Sequence, residues 1–541
     1  MSSDAREQGR DDLAGWRAGQ PRNFFEADPL LRRLSERALS VERIRALANF
    51  GALAAGPLDA AVIENNRAGN EPQLATHDEI GRHVARLSHH PTYHEAGTII
   101  YGSGVMAAYA EMPSPHRFIL SMFYLSSHVG EGGHNCPLAC TAGAIRALQA
   151  LGSDAQKATW LNGLLRPVYG EHYAGAQFLT EVQGGSDVGA NAVRARHRGD
   201  HWAIDGEKWF CSSADAHLFL VTARPEGAPP GTAGLGLFLV PREVDGAPNG
   251  FRLRRLKDKL GTRSMVTAEI EFEEAHAEAL GPIDAGFRNA MELVIDTSRL
   301  YNAWACAAAA HRAFLVARGY AEHRKAFGRT IAREPLMKET LAMILSDAEA
   351  ALAGSFWLAE VQERVDTGSA SDEERAFLRM GLNLNKVRTA ALSHDAIHRA
   401  IEVLGGNGTI ETFSVLPRLL RDIVVFENWE GTPHTLRLQV MRDAARLGLH
   451  EGFFATLEER LGRTDLAADR AAFARCLEEQ DTLLLRRVCD RLGTWIHVAA
   501  LAHVDDAGFK ARAELTRRRH LAGDPVQDGY AALIDRCDAA S

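Results

Sequence analysis

A carboxylate beside flat apolar surface, just ahead of a helix N-terminus, can draw a proton from a weak carbon acid once water is excluded. Residues 426–436, FENWEGTPHTL, spell such an arrangement. Thr432 then Pro433 is a helix start, Thr as N-cap and Pro in the first turn, so Glu430 lies just before the helix. Trp429 supplies the apolar flank and Gly431 permits close backbone approach. The helix end favours the charged carboxyl and apolar surroundings disfavour it; the competing role is a Glu that only helps to cap the helix. Two further segments suit a ligand. In FLTEVQGGSDV (178–188) the glycines 184 and 185 with Ser186 and Asp187 make a turn whose N–H groups can converge on an anion, with hydroxyls from Thr180 and Ser186. A plain hairpin connection has the same composition. In DGEKWFCSS (205–213) Trp209 and Phe210 offer flat surface beside Ser212 and Ser213, where a planar cofactor could stack; two aromatics on a half-buried strand account for it equally.

Other chemistries find little support. No strand–GxGxxG–helix unit is present, and GSG at 102–104 and GGNG at 405–408 lack its flanks, which disfavours a Rossmann site. His134, Cys136 and Cys140 do not have zinc-pair spacing, and no metal is expected. No closely spaced carboxylate pair suggests a glycosidase. Arg252, Arg254, Arg255, Lys257 and Lys259 make one stretch basic, as a solvated strand or as a contact for a phosphate. Across the chain 61 Lys+Arg face 70 Asp+Glu, a net charge of -9, which disfavours a chain-wide surface for polyanions.

The elements that must position these groups follow from texture. At ~150 residues per domain, 541 residues make three or four units. After an N-terminal segment (1–27), residues 28–173 are rich in Ala, Leu, Arg and Glu with helical spacing, broken only at 130–140. Residues 174–284 turn to short β-branched and aromatic segments, a small antiparallel sheet or barrel whose strands run to about 274. Helical spacing returns over 285–445, near 286–326, 336–366, 372–404 and 432–447, and a helical extension fills 446–541. The fold class is therefore mainly α with a central β-domain. The longest unbroken apolar run, 303–310, is short of the ~20 residues that span a bilayer. With seven cysteines, an odd and sparse number, and no apolar leader, a reducing cytoplasmic setting is expected.

Taken together, FLTEVQGGSDV, DGEKWFCSSADAHL, LRRLKDKLGTRS, RKAFG, EVLGGNG and NWEGT, in this order and spacing over about 137–442, resemble the acyl-CoA dehydrogenase family, most closely its alkylation-response (AidB-type) branch. The resemblance implies a helical N-domain, a β-barrel or sheet domain and a C-terminal four-helix bundle with extra C-terminal helices, assembled as a homotetramer that binds FAD. Position by position it implies flavin contacts at Leu179, Thr180, Gly185, Ser186, Phe210, Ser212, Thr432 and His434. Arg324 and Phe327 match the pair that meets a neighbouring subunit's cofactor, and Glu402, Gly405 and Gly406 the segment near its adenosine end. Glu430 aligns with the base that takes the α-proton of an acyl thioester while the β-hydrogen passes as hydride to flavin N5, and Arg299 with a buried arginine that positions it. Ser298 stands at a rival base position and cannot serve. Trp429 and Ser186 would line the substrate, and an electron-transfer partner is implied.

Several departures bear on substrate. Trp429 stands where most members have Tyr and should narrow or redirect the acyl channel. Glu402 replaces a common Gln and Ser213 a common Asn. The branch is also associated with duplex DNA bound through its C-terminal region. Here 446–541 carries two more acidic than basic residues, and Arg517, Arg518 and Arg519 are its one basic cluster. The alternative to an acyl thioester dehydrogenase is thus a flavin-containing, DNA-binding protein that protects against alkylation, with vestigial catalysis.

Overall fold

In the computed structural model, which describes residues 2–462, 466–523, 526 and 529–538, the middle region forms a seven-stranded sheet. Parts of the expected 446–541 extension (463–465, 524–525, 527–528 and 539–541) lie outside the described residues. The strands are β1 (Gly175–Phe178), β2 (Arg194–His197), β3 (Trp202–Ser212), β4 (Leu218–Pro225), β5 (Gly236–Pro241), β6 (Phe251–Leu256) and β7 (Thr267–Ala279). β4 and β5, LFLVTARP and GLFLVP, are buried at every position, as continuous apolar runs are when both faces are covered. Pairing runs β7–β3–β2–β4–β5 and back to β7, so the sheet closes on itself, with β6 added to β7 and β1 to β4. Phe178, Phe219, Phe238, Ile270 and Phe272 fill its core.

Two pairs, β1 with β4 and β2 with β4, are parallel, where the sequence pattern pointed to an antiparallel sheet. Alternation reports which face is buried, not the direction of the neighbour. Leu218 N–H donates to Ala174 O (3.3 Å) and Arg224 N–H to Val193 O (2.9 Å). Residues an even number apart on a strand point the same way, so β1 and β2 share one edge of β4. The chain leaves that edge after Phe178 and rejoins it at Arg194, throwing out a loop, 179–193.

This barrel belongs to one compact unit, Leu58–Pro115 with Glu131–Tyr301. In the same unit α1 (Gly132–Leu151) runs straight through Pro137, so the break expected over 130–140 ends at residue 131. Glu131 caps the helix by accepting His134 N–H at 3.2 Å. Pro137 lacks the N–H that Gly133 O would receive, and the Tyr93 hydroxyl donates to that oxygen instead (3.2 Å). His134 Nε2 bonds Tyr93 O at 2.8 Å, which turns this imidazole to the backbone. A hairpin, Gln73–His77 with His83–Ser88, interrupts the region expected to be helical.

The second unit comprises Met1–Pro57, His116–Gly130 and Asn302–Ser541. Its helices include most of α2 (Asp296–His323), then α3 (Pro335–Asp366), α4 (Asp372–Leu404), α5 (Leu416–Asn428) and α6 (Pro433–Leu447). The four long segments expected from spacing are present, the first broken by a π-helical stretch, Ala290–Ile295, ahead of α2. α5 was not anticipated, although Leu416, Leu419, Ile423 and Phe426 form its buried stripe. Residues 303–310 of α2 are all buried, and apart from Trp304 they are Ala and Cys, small side chains that let neighbouring helices come close. Further helices of the extension pack on α3 and α4; His497 there bonds Asn385 Oδ1 of α4 at 2.7 Å. Two segments, Val41–Asn65 and Pro335–Asp366, are long and apolar enough to cross a membrane by length and composition. In the second that apolar window is 94% buried within the protein, as in a core helix.

Candidate active site

The residues singled out by sequence fall in both units, and each unit holds its share by a distinct device. In the barrel unit the loop 179–193 is anchored from inside. Glu181, buried, accepts the N–H groups of Ala192 and Val193. It also receives the ammonium of Lys208 at 2.8 Å, and Lys208, fully buried on β3, donates to Leu179 O at 3.1 Å as well. Burial pushes the Lys208 ammonium below the usual lysine range, with Glu181 opposing. Asn191 Nδ2 donates to Leu179 O (2.7 Å) and Trp209 N–H to Thr180 O (3.0 Å). The loop's far side is open: Gly185 and Ser186 are exposed. A Cβ at Gly185 would lie 2.5 Å from Thr180 Oγ1, so a larger residue there would push the Thr180 side chain aside.

Beside the loop, Phe210 is 54% exposed, unusual for a phenylalanine in a sheet. Trp209 carries Lys257 Nζ over its ring at 3.1 Å. Ser212 Oγ lies 3.3 Å from Thr267 Oγ1, and Ser213 is held at φ +58°. A half-exposed phenyl ring, nearby hydroxyls and an open glycine turn suit a flat ring joined to a phosphate, the flavin that the motifs imply. Arg299 is buried and paired with Asp296 at 2.9 Å, and Ser298 Oγ takes Gln177 Nε2 at 3.0 Å.

In the bundle unit the segment between α5 and α6 presents the acid. α5 stops at Asn428, Glu430 is left-handed at φ +58° and Gly431 at +108°. A left-handed Glu is a strained choice that surrounding structure must hold in place. Thr432 caps α6 by accepting Thr435 N–H (3.4 Å), with Pro433 in the first turn, as its sequence indicated. Glu430 is therefore half-buried one turn from a helix N-terminus. Trp429 stacks on Phe426, centroids 4.8 Å apart and planes at 15°, and its buried indole Nε1 has no hydrogen-bond partner among the described residues. Sequence reasoning missed the supports. Lys386 of α4, fully buried, donates to Glu427 O (2.8 Å) and Gly431 O (3.1 Å), and Asn302 Nδ2 donates to Phe426 O (3.1 Å). The local signal was a lysine within the helical stretch LNLNKVRTAAL. His394 Nδ1 meets Glu427 Oε1 at 2.7 Å, and this bond raises the imidazole above its ordinary pKa.

The other residues singled out in the bundle unit are mostly exposed. His434 is exposed on α6. Arg324 is half-buried, and Phe327, at φ +51° on a short hairpin, is 97% exposed. Glu402 and the Gly405–Gly406 turn are exposed, and Asn407 Nδ2 donates to Tyr320 OH at 3.2 Å, tying that turn to α2. The basic cluster is not a row of solvent-facing cations. Arg517 and Arg518 both pair with Glu514. The Arg519 side chain, 7% exposed, is bound to buried Asp347, as is His520. Among the described residues Asp28, His128 and His311 also converge within 4.8 Å. Hydrogen bonds account for them: His128 Nε2 to His311 Nδ1 (3.0 Å), His128 Nδ1 to Tyr124 O (2.9 Å) and Tyr124 OH to Asp28 (2.7 Å).

Comparison with known proteins matches three family models in order. They are the adaptive response protein AidB N-terminal domain over 17–171, the acyl-CoA dehydrogenase middle domain over 176–275 and the acyl-CoA dehydrogenase C-terminal domain over 284–445. The chain is 32% identical over 444 residues to the putative acyl-CoA dehydrogenase AidB of Escherichia coli K12, covering 78% of this chain and 77% of that protein. It is 29% identical over 492 residues to acyl-CoA dehydrogenase family member 11 of Caenorhabditis elegans, covering 86% and 78%. Among solved structures, Bd2924 in its apo form superposes with a TM-score of 0.85 at 27% identity, covering 90% of this chain and 99% of that one. C. elegans ACDH-11 in complex with C11-CoA superposes with a TM-score of 0.83 at 25% identity, covering 96% and 95%.

Proposed function

Because the chain belongs to the acyl-CoA dehydrogenase family, on its AidB-type branch, a family of FAD-binding flavoproteins, we propose that it dehydrogenates an acyl thioester with Glu430 as the base. The observation that carries this is the left-handed, half-buried Glu430 just before the α6 N-terminus. Leu179, Thr180, Gly185, Ser186, Phe210 and Ser212 of the barrel unit would hold the flavin. When bound, FAD supplies the acceptor for the substrate's β-hydrogen, taken as hydride. The protein's own part is to aim and to move a proton. A Glu430 carboxylate oxygen takes the α-proton, and the Glu430 backbone N–H stabilises negative charge growing on the thioester oxygen. Trp429 limits the space for the acyl chain. Phe327 and the open Gly405–Gly406 turn are surfaces that neighbouring subunits of a homotetramer would cover. Reoxidation by an electron-transfer protein and a cytoplasmic setting belong to the same reading.

The test is anaerobic bleaching of bound flavin by acyl-CoAs of graded length. The C11-CoA in the ACDH-11 structure supports starting near that length. Glu430→Gln should keep the flavin and lower the bleaching rate by about a hundredfold to ten-thousandfold, the range for a general base. Undiminished bleaching in Glu430→Gln would remove the assigned base, and no bleaching of the unaltered protein by any thioester would remove the reaction. The second reading, duplex DNA protection, is favoured by the similarity to AidB and weakened by the carboxylates that engage Arg517, Arg518 and Arg519. Duplex binding at physiological salt that is lost in Arg517→Ala/Arg518→Ala would favour it.

A further inference from the structure

The turn that presents Glu430 is made where a helix would otherwise continue. In an α-helix the carbonyls of Phe426 and Glu427 accept the N–H groups four residues on, which here are those of Glu430 and Gly431. Both carbonyls instead receive side chains from other helices: Phe426 O takes Asn302 Nδ2 of α2 at 3.1 Å, and Glu427 O takes Lys386 Nζ of α4 at 2.8 Å. The same ammonium donates to Gly431 O at 3.1 Å, so one buried group grips the chain on both sides of the left-handed Glu430. A fully buried ammonium is costly to retain unless it is well hydrogen-bonded. Spending it on two main-chain oxygens that bracket one residue is difficult to explain as packing, since a Leu or Met would fill the space at lower desolvation cost.

We propose that Lys386, seconded by Asn302, is a positioning residue for the reaction: it substitutes for the helical donor at Glu427 O, holds Gly431 O, and so fixes the Glu430 backbone in its strained, left-handed form with its N–H and carboxyl aimed at the substrate. It never touches the reacting atoms and acts through Glu430. The inference rests on the dehydrogenase reading for its kinetic consequence, while its structural content stands on hydrogen bonds within one unit.

The decisive variant is Lys386→Met, similar in length and lacking the donor. Its limiting rate of flavin bleaching by a medium-chain acyl-CoA should fall about tenfold to a hundredfold, as expected for a misaimed group. Flavin content and the dissociation constant of a non-reacting CoA thioether should stay within about twofold of the unaltered protein. In a Glu430→Gln background the same change should cost less than about twofold more, because residues acting as a unit are not additive. A merely structural lysine would give losses that multiply. Independently of any activity, hydrogen exchange at the amides of residues 428–432 should quicken in Lys386→Met relative to the rest of α5 and α6. Lys386→Gln, which keeps one donor, should recover part of both effects, and it carries the same comparisons should the Met variant fail to fold. An unchanged exchange pattern overturns the clamp even if no thioester proves to be a substrate, and full multiplicativity with Glu430→Gln overturns its action through the base.

Discussion

Trp429 joins two features that pull apart. Its ring stacks on Phe426, an aromatic contact worth about 0.5–1.5 kcal/mol beyond area burial, yet its indole N–H is buried with no acceptor among the described residues. A buried donor left unmatched costs about 1–3 kcal/mol, so the group is expected to find its partner when the site is filled. Trp429→Phe keeps the stack and removes the orphaned donor. The melting temperature of the ligand-free protein should hold or rise, while a ligand that accepts from the indole binds less tightly, by about tenfold for one hydrogen bond of this strength. A melting temperature several degrees lower would show that the indole is structural. The residue was visible in the sequence as a large ring beside the acid; its lack of a partner was not, because that depends on what every neighbouring element presents.

At the scale of elements the loop 179–193 matters most. Its open face carries Gly185 and Ser186, and its inner face is fixed by Glu181 and Lys208, which bridge the loop to β3. Removing one member of a buried pair strands the other and costs about 3–5 kcal/mol. Glu181 should be the worse loss, since it also accepts two backbone N–H groups from the returning chain. Glu181→Leu is therefore expected to purify with less flavin than Lys208→Met, and both with less than the unaltered protein, as read from the ratio of flavin to protein absorbance. Equal and full flavin content in all three would mean that the pair supports the barrel and not the loop. Sequence shows the turn and the two charges, one inside the loop and one on a later strand, without showing that they meet. The same limit hid the parallel edges of β4, the Pro137 helix rescued by Tyr93, and the Lys386 grip on Glu427 and Gly431. By contrast the α6 start, Thr432 then Pro433, is written in adjacent residues, and was legible.

For the whole molecule, the groups that govern acid stability are histidines sealed in both units. Burial holds His134 and His497 near pKa values of about 4 and about 3, and lowers His128 and His311 too. The unfolded chain takes up a proton on each near pH 6.5. Below that pH the unfolded state binds more protons than the fold, so the stability these four contribute is fully present above about pH 6.5 and is lost as pH falls toward their folded values. Glu349 opposes them. Burial, partly offset by Arg512, raises its carboxyl to about 7, so it binds a proton in the fold that the unfolded chain releases near 4.5. Its contribution is present at low pH and lost as pH rises through that window. A pKa that differs by one between the folded and unfolded chain is worth about 1.4 kcal/mol, and one carboxyl against four imidazoles leaves the histidines in control. The melting temperature should therefore drop by several degrees between about pH 7.5 and pH 5. His497→Asn, which cannot be protonated there, should show a smaller drop even if its melting temperature at pH 7.5 is lower, because its titration is removed while the Asn385 contact is only shortened. A melting temperature that stays level or climbs as the pH falls would mean that Glu349, not the histidines, sets the balance.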